Sequence, residues 1–214
     1  MTSSNARAAR GRRIGVLGGT FDPVHIGHLV VADNALQQLD LDMVLFAPAG
    51  HPPHKTDRVI SSATDRKAMI EIAIADREEF TLSDTDLYRK GPSFTVELLH
   101  RIDETYAPAA LYFVMGADSL RDFATWSRPA AILDIARIAV ARRPGVEIDD
   151  DVLTSVAGMP DRLHLLDSPL NHISSTDLRD RVSRGQTIRY LLPQEVHDYI
   201  DARNLYRTEP IILA

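Results

Sequence analysis

At 214 residues, with 44% hydrophobic residues and a formal net charge of −6, the chain is long enough for one substantial core and too acidic to offer nucleic acid a favourable surface. Its basic cluster, Arg7, Arg10, Arg12 and Arg13, lies in an acid-free stretch among Ala, Ser and Gly, so residues 1–12 read as a disordered tail and 13–207 as a single domain. Cysteine is absent, which excludes disulfides, thiolate catalysis and cysteine-ligated metal. No apolar run suits a secretory signal or a membrane span, and a cytoplasmic enzyme with neither membrane nor nucleic-acid partners is the natural expectation.

The first element is a short apolar run, Ile14–Leu17, entering Gly18-Gly19, which predicts a buried strand ending in a tight turn. Beyond Thr20-Phe21-Asp22-Pro23-Val24, the residues Ile26, Leu29, Val30, Leu36 and Leu39 recur at helical spacing and predict a helix over about His25–Leu39. The two glycines let a bulky anion approach the backbone, and Thr20 adds a hydroxyl donor. A helix start beside them supplies unpaired amides and a positive dipole end. His25 and His28, three apart, share a helix face, and each imidazole can donate to phosphate oxygens, more strongly when protonated. Leu17–His28 therefore reads as a phosphate-holding segment.

Further apolar runs predict strands at Met43–Ala47, Phe80–Leu82, Leu111–Met115, Ile138–Ala141 and Leu163–Leu166. Helical patterns over Asp65–Ala75, Val96–Ile102, Ala130–Ile135 and Thr176–Val182 fall between most of them. The alternation predicts an α/β fold on a mainly parallel sheet, with ligands at the carboxyl ends of the strands. Pro48–Ser61 and Gly145–Asp151 read as flexible loops, and a last helix through Val196–Arg203, with Pro193 near its first turn, caps the fold.

Several segments allow two readings. In Pro48-Ala-Gly-His-Pro-Pro-His-Lys55 two prolines restrict a loop that either presents His54 and Lys55 to phosphate or is an ordinary turn-rich surface loop. His51 and His54 taken with His25 and His28 would make a four-histidine metal site, a weaker reading because the diproline loop lacks helical spacing. In Ile173-Ser-Ser-Thr-Asp-Leu-Arg179, Ser174 and Asp177 fit a capping box, and the same helix start can hold an anion. Gly91-Pro-Ser-Phe-Thr95 suits a turn and helix cap. Trp126, the one tryptophan, follows Gly116-Ala-Asp-Ser-Leu120 and is either core or ligand contact. Arg142-Arg-Pro-Gly145 ends a strand with an arginine that is either phosphate-directed or solvated.

Taken in order from about Arg13 to Arg207, these segments resemble the bacterial nicotinate-mononucleotide adenylyltransferases of the nucleotidyltransferase superfamily. The T/H-x-G-H signature is here His25-Ile26-Gly27-His28, the form shared with class I aminoacyl-tRNA synthetases, which need far more chain. The family's P-x-x-x-P-P-H-K, G-P-S-Y-T, G-A-D-S-L with later F and W, R-P-G and I-S-S-T-x-x-R follow in sequence. The resemblance implies a Rossmann-like α/β fold with helices on both faces of the sheet and a C-terminal helical element. It implies transfer of the adenylyl group of ATP to nicotinate mononucleotide, with Mg²⁺ held mainly by the ATP phosphates. Catalytic roles fall to His25, His28, Lys55 and Arg179. ATP contacts fall to Gly18, Gly19, Thr20, Phe21, His28, Ser174, Ser175, Thr176 and Arg179, and pyridine-nucleotide contacts to His54, Thr95, Asp118 and Trp126. Phe94 stands where the family has tyrosine, and Ser127 where some relatives carry another. The sequence leaves open a sister transferase acting on phosphopantetheine or glycerol phosphate, a silent nucleotide-binding regulator, selectivity for acid over amide, and assembly into a homo-oligomer.

Overall fold

A computed structural model describes residues 11–51, 60–142, 148, 150–154, 156–169 and 173–207. Six strands, β1 (Arg12–Gly19), β2 (Met43–Pro48), β3 (Phe80–Leu82), β4 (Ala109–Gly116), β5 (Ala136–Arg142) and β6 (Leu163–Asp167), form one parallel sheet in the order β3-β2-β1-β4-β5-β6. All six contain the expected apolar runs. Because the sheet is covered on both faces, alternate residues of one strand enter two separate cores. Leu17, Val44, Phe46, Val114 and Ala139 face one core, and Ile14, Val16, Leu45, Phe113 and Ile138 the other.

The first core is closed by α1 (Ile26–Gln38), α2 (Ala63–Ala73), α8 (Ser175–Ser183) and α9 (Gln194–Ala202), through residues such as Ala35, Met69, Leu178 and Ile200. The second is closed by α3 (Thr95–Tyr106), α4 (Ala117–Arg121), α5 (Pro129–Ile135) and α7 (Met159–Arg162), through Leu99, Leu120, Ile132 and Met159. A short α6 (Asp150–Thr154) precedes α7. The chain order reverses between β1 and β4, so a crevice opens at their carboxyl ends.

Three expectations are corrected. Arg12 opens β1 rather than closing a tail; residues 1–10 lie outside the described residues. Asp150 and Asp151 are not loop but the first turn of α6, where their charge suits the helix dipole. The helix expected from His25 starts at Ile26, with His25 as its extended N-cap. The elements that the sequence pattern does not predict, α4, α6, α7 and the 3-10 turn Phe123–Thr125, have five residues or fewer, too few to register a helical period.

Beneath the crevice lies a buried cation. Arg66 of α2 is 2% exposed. Its Nη1 donates to the carbonyls of Thr20 (2.9 Å) and Ala49 (2.8 Å), its Nε to Ser61 (3.3 Å) and its Nη2 to Gly50 (3.4 Å). Asp22, equally buried, supplies the opposing charge. The carboxylate of Asp22 also accepts from the Ser61 amide (3.2 Å) and the Tyr206 hydroxyl (2.7 Å). Burial and that carboxylate push the Tyr206 phenol well above its ordinary value. The neighbouring Asp65 takes the hydroxyl of Ser62 (2.6 Å), the hydroxyl of Tyr199 (2.9 Å) and Arg203 Nε (3.2 Å), which fastens α9 to α2 and holds its carboxyl below the usual range.

Replacing Arg66 by leucine leaves four carbonyls without their donor and Asp22 without its opposing charge. The expected loss is about 3–5 kcal/mol of stability, seen as a lower urea midpoint at unchanged slope. A midpoint equal to the parent's would mean that these groups find other donors.

Candidate active site

Two adjoining cavities open over the carboxyl ends of the strands. The first, about 620 Å³, is lined by His25, Gly27 and His28 on one side and Ser174, Ser175 and Thr176 on the other, with Asp118 and Arg142 at its edge. The second, about 440 Å³, is lined by Gly19, Thr20, Asp86, Ser93, Phe94 and Thr95. Gly18, Phe113, Ser119 and Trp126 line both.

The glycines at the end of β1 serve space rather than backbone freedom. A Cβ on Gly18 would lie 2.9 Å from the Phe113 ring, and one on Gly19 3.1 Å from the Phe21 ring. The left-handed residue of the turn is instead Phe21, with φ +52°. Its ring is buried and packs against His28 at 4.8 Å between centroids and Phe46 at 5.8 Å. Phe21, expected to touch ATP, thus lines neither cavity and supports a histidine from behind.

His25 and His28 stack, with ring centroids 3.8 Å apart and planes inclined by 28°. They are arranged as a capping box. His28 Nδ1 accepts the His25 amide at 3.2 Å, and the His25 ring reaches back towards the His28 amide, which is given to the His25 carbonyl at 2.9 Å. Accepting at Nδ1 places the proton of neutral His28 on Nε2 and makes that nitrogen a donor. His25 is 5% exposed, its Nδ1 is buried without a satisfying partner, and burial pushes its pKa down to about 4. The ligand-free protein therefore holds His25 neutral at physiological pH, not as the cation that its position next to phosphate suggests. The helix start is also less open than expected, since the Ile26 amide is given to the Leu191 carbonyl at 3.1 Å.

Across the first cavity, Ser174 caps α8 by accepting the Asp177 amide at 3.1 Å. Asp177 turns its carboxylate to Arg181 (2.8 Å) in place of the reciprocal half of a capping box. Ser175 donates to the Pro23 carbonyl (2.9 Å), and Arg179 to the Asp22 carbonyl (2.6 Å) and to Thr176 Oγ1 (3.3 Å). These bonds dock the α8 start on the histidine turn, so Arg179 sits beside the cavity and not on its wall. Asp118 lies at the rim, 82% exposed and paired with Arg121 (3.2 Å). Arg142 is paired with Asp167 (3.0 Å).

In the second cavity the start of α3 presents Thr95, and by helix geometry its first amides have no partner within the helix. Ser93 and His51 exchange two hydrogen bonds, Ser93 N to His51 O (3.0 Å) and His51 N to Ser93 Oγ (3.1 Å), joining the Gly91–Thr95 turn to the end of β2. Trp126 stands edge-on to Phe113 at 6.0 Å and tilts against Phe123 at 5.4 Å, with its remaining surface towards the cavities. His54, Lys55 and Arg143 lie outside the described residues. Among the described residues no group of three His, Cys, Asp or Glu side chains could hold a metal, and no helix is long and apolar enough to cross a membrane. Sequence reasoning missed Arg66 and Asp86, and weighed His51 only as a metal ligand, whereas its backbone joins the Ser93 turn. Each acts through the backbone or charge of a distant segment, for which no local motif exists.

In the ligand-free protein the His25 imidazole is expected to titrate near pH 4 by NMR, and to move upward when pyrophosphate is added, since a nearby anion favours the charged form. Its folded pKa lies below the ordinary 6.5, so the stability it contributes is complete above that value and falls as pH drops towards 4. Titration near 6.5 without ligand would show that the ring is solvated.

The chain matches the cytidylyltransferase-like family over residues 16–181. It is 44% identical over 197 residues to a "Probable nicotinate-nucleotide adenylyltransferase" of Thermomicrobium roseum, covering 92% of each chain. It is 42% identical to a protein of the same name from Desulfitobacterium hafniense, covering 92% of this chain and 96% of that one. Among solved structures it is similar to Plasmodium falciparum nicotinic acid mononucleotide adenylyltransferase. The complex with APC aligns with a TM-score of 0.73 at 21% identity, and the complex with NaAD with 0.74 at 20%, each covering 91% of this chain and 97% of that one. At that identity the likeness is one of fold.

Proposed function

The chain belongs to the nicotinate-nucleotide adenylyltransferase family, and from that membership we propose that it transfers the adenylyl group of ATP to nicotinate mononucleotide, giving deamido-NAD and pyrophosphate. The observation that carries this reading is the pair of cavities sharing Gly18, Phe113, Ser119 and Trp126 at the end of β1. In this reading the two substrates meet across the wall that these four residues share.

In this reading ATP occupies the first cavity, with its phosphates between the two histidines and the α8 start. The pyridine nucleotide occupies the second, its ring against Trp126 and its carboxylate at the start of α3. A phosphate oxygen of the mononucleotide bonds to the α-phosphorus of ATP in line, the bond from that phosphorus to the bridging oxygen breaks, and pyrophosphate leaves with the electron pair. The nucleophile is already an anion near neutral pH, so no general base is needed. The protein supplies positioning and donors for the charge on the five-coordinate phosphorus. His28 donates from Nε2, and His25, neutral in the empty site, becomes a stronger donor as phosphate raises its pKa. The α8 amides compensate the leaving pyrophosphate, with Arg179 fastening the α8 start from beside the cavity and adding its charge from there, together with Lys55 as the sequence resemblance implies. Mg²⁺, held mainly by the ATP phosphates, would add charge compensation on the triphosphate.

The test is pyrophosphate release from ATP and Mg²⁺ with nicotinate mononucleotide, its amide analogue or phosphopantetheine supplied separately. Release is expected with the nicotinate compound above the others; release with phosphopantetheine alone would assign the chain to a sister transferase. In the same assay His28→Ala is expected to lower kcat by about a hundredfold or more, the size of losing one preorganised donor to a developing oxyanion. A folded variant with near-parental kcat would remove His28 from the mechanism.

A further inference from the structure

The second cavity is bordered by a cluster of ionised groups that the reaction does not use directly. Asp86 lines it, and its side chain is 3% exposed. Asp86 Oδ1 accepts from Arg89 Nε at 2.8 Å and from Arg101 Nη1 at 3.4 Å. Arg89 Nη2 continues to the Pro92 carbonyl (2.8 Å) and Glu97 Oε2 (3.0 Å), Arg101 Nη2 reaches the same oxygen (3.4 Å), and Arg128 lies 3.8 Å from Glu97 Oε1. These residues belong to the segments that wall the cavity: the approach to the Gly91–Thr95 turn, the first turns of α3, and the residue after Ser127.

A carboxylate beside a pocket repels a ring that itself bears a carboxylate, unless its charge is compensated. Here two guanidinium groups converge on one oxygen of Asp86. Uncompensated, that carboxylate would repel a nicotinate ring and accept from the NH₂ of a carboxamide.

We propose that Arg89, supported by Arg101, is a specificity-determining residue: by neutralising Asp86 at the wall of the pyridine pocket it lets the site favour a ring carrying a carboxylate over the same ring carrying a carboxamide. The inference rests on the second cavity being the pyridine-nucleotide site. The Pro92 contact gives Arg89 a structural duty as well, so the test must separate charge from shape.

The experiment compares kcat/KM for nicotinate mononucleotide and its amide analogue in the full chain, for the parent, Arg89→Gln, and the double variant Asp86→Asn with Arg89→Gln. Arg89→Gln is expected to lower the acid-to-amide ratio about tenfold or more, the effect of one unit charge several ångströms away in a partly screened pocket. The change falls on KM for the nicotinate compound, with KM for ATP unaltered. Adding Asp86→Asn is expected to restore the ratio, which a purely structural role of Arg89 would not do. Arg101→Gln shifts the ratio the same way to a smaller extent and carries the test should Arg89→Gln not fold. A ratio unmoved by loss of either arginine, or not restored by Asp86→Asn, overturns the inference. A parent chain that releases pyrophosphate with neither pyridine compound overturns the proposed function instead.

Discussion

One guanidinium bonded to four backbone carbonyls holds the reactive end of this fold together. Arg66 reaches the turn after β1, the segment after β2 and the entry to α2 at once. A cation buried this deeply is tolerated because each carbonyl dipole points at it and Asp22 balances its charge. The walls of both cavities depend on it. Thr20 and Ala49 face the second cavity, and the Asp22 carbonyl, on the far side of the same turn, receives Arg179 from α8. The turn is thus gripped from beneath by one arginine and from the side by another, and the histidines are presented from a clamped segment.

Clamping explains how an acidic chain can be built around a site for two anions. The donors facing the first cavity include a buried imidazole held uncharged, a second imidazole whose Nδ1 is engaged by a backbone amide, and the start of α8. Oriented dipoles cost less to bury than formal charges and need no rearrangement as phosphate charge develops. Where formal charges do gather, around Asp86 and Glu97, they are paired across the segments they join.

The sheet was legible in the sequence because its strands are short apolar runs, those of the centre buried on both faces, a pattern that needs no partner to be recognised. The two histidines, the α8 serines and Thr95 were legible because their spacing carries a chemical meaning. Arg66 was not. It lies in a charged helical segment that reads as a solvated face, and its acceptors are carbonyls of three loops, which leave no trace in residue identity. The neutral state of His25 was not legible for a related reason: spacing reveals which groups face one another but not how deeply they are buried. Tyr206 packs against the first core and is also a hydrogen-bond donor to Asp22. Gly18 and Gly19 were read as turn-makers, yet their role is to admit the Phe113 and Phe21 rings.

The bond between Tyr206 and Asp22 spans 184 residues of chain. During synthesis the strand, the glycines and both histidines leave the ribosome long before the hydroxyl that secures the aspartate beneath them. β1 itself waits for β4, its neighbour across the crevice and nearly a hundred residues later in register, where Arg12 pairs with Ala109. The crevice is therefore completed late, and a growing chain has no finished cradle at the end of β1 before its C-terminal helices are made.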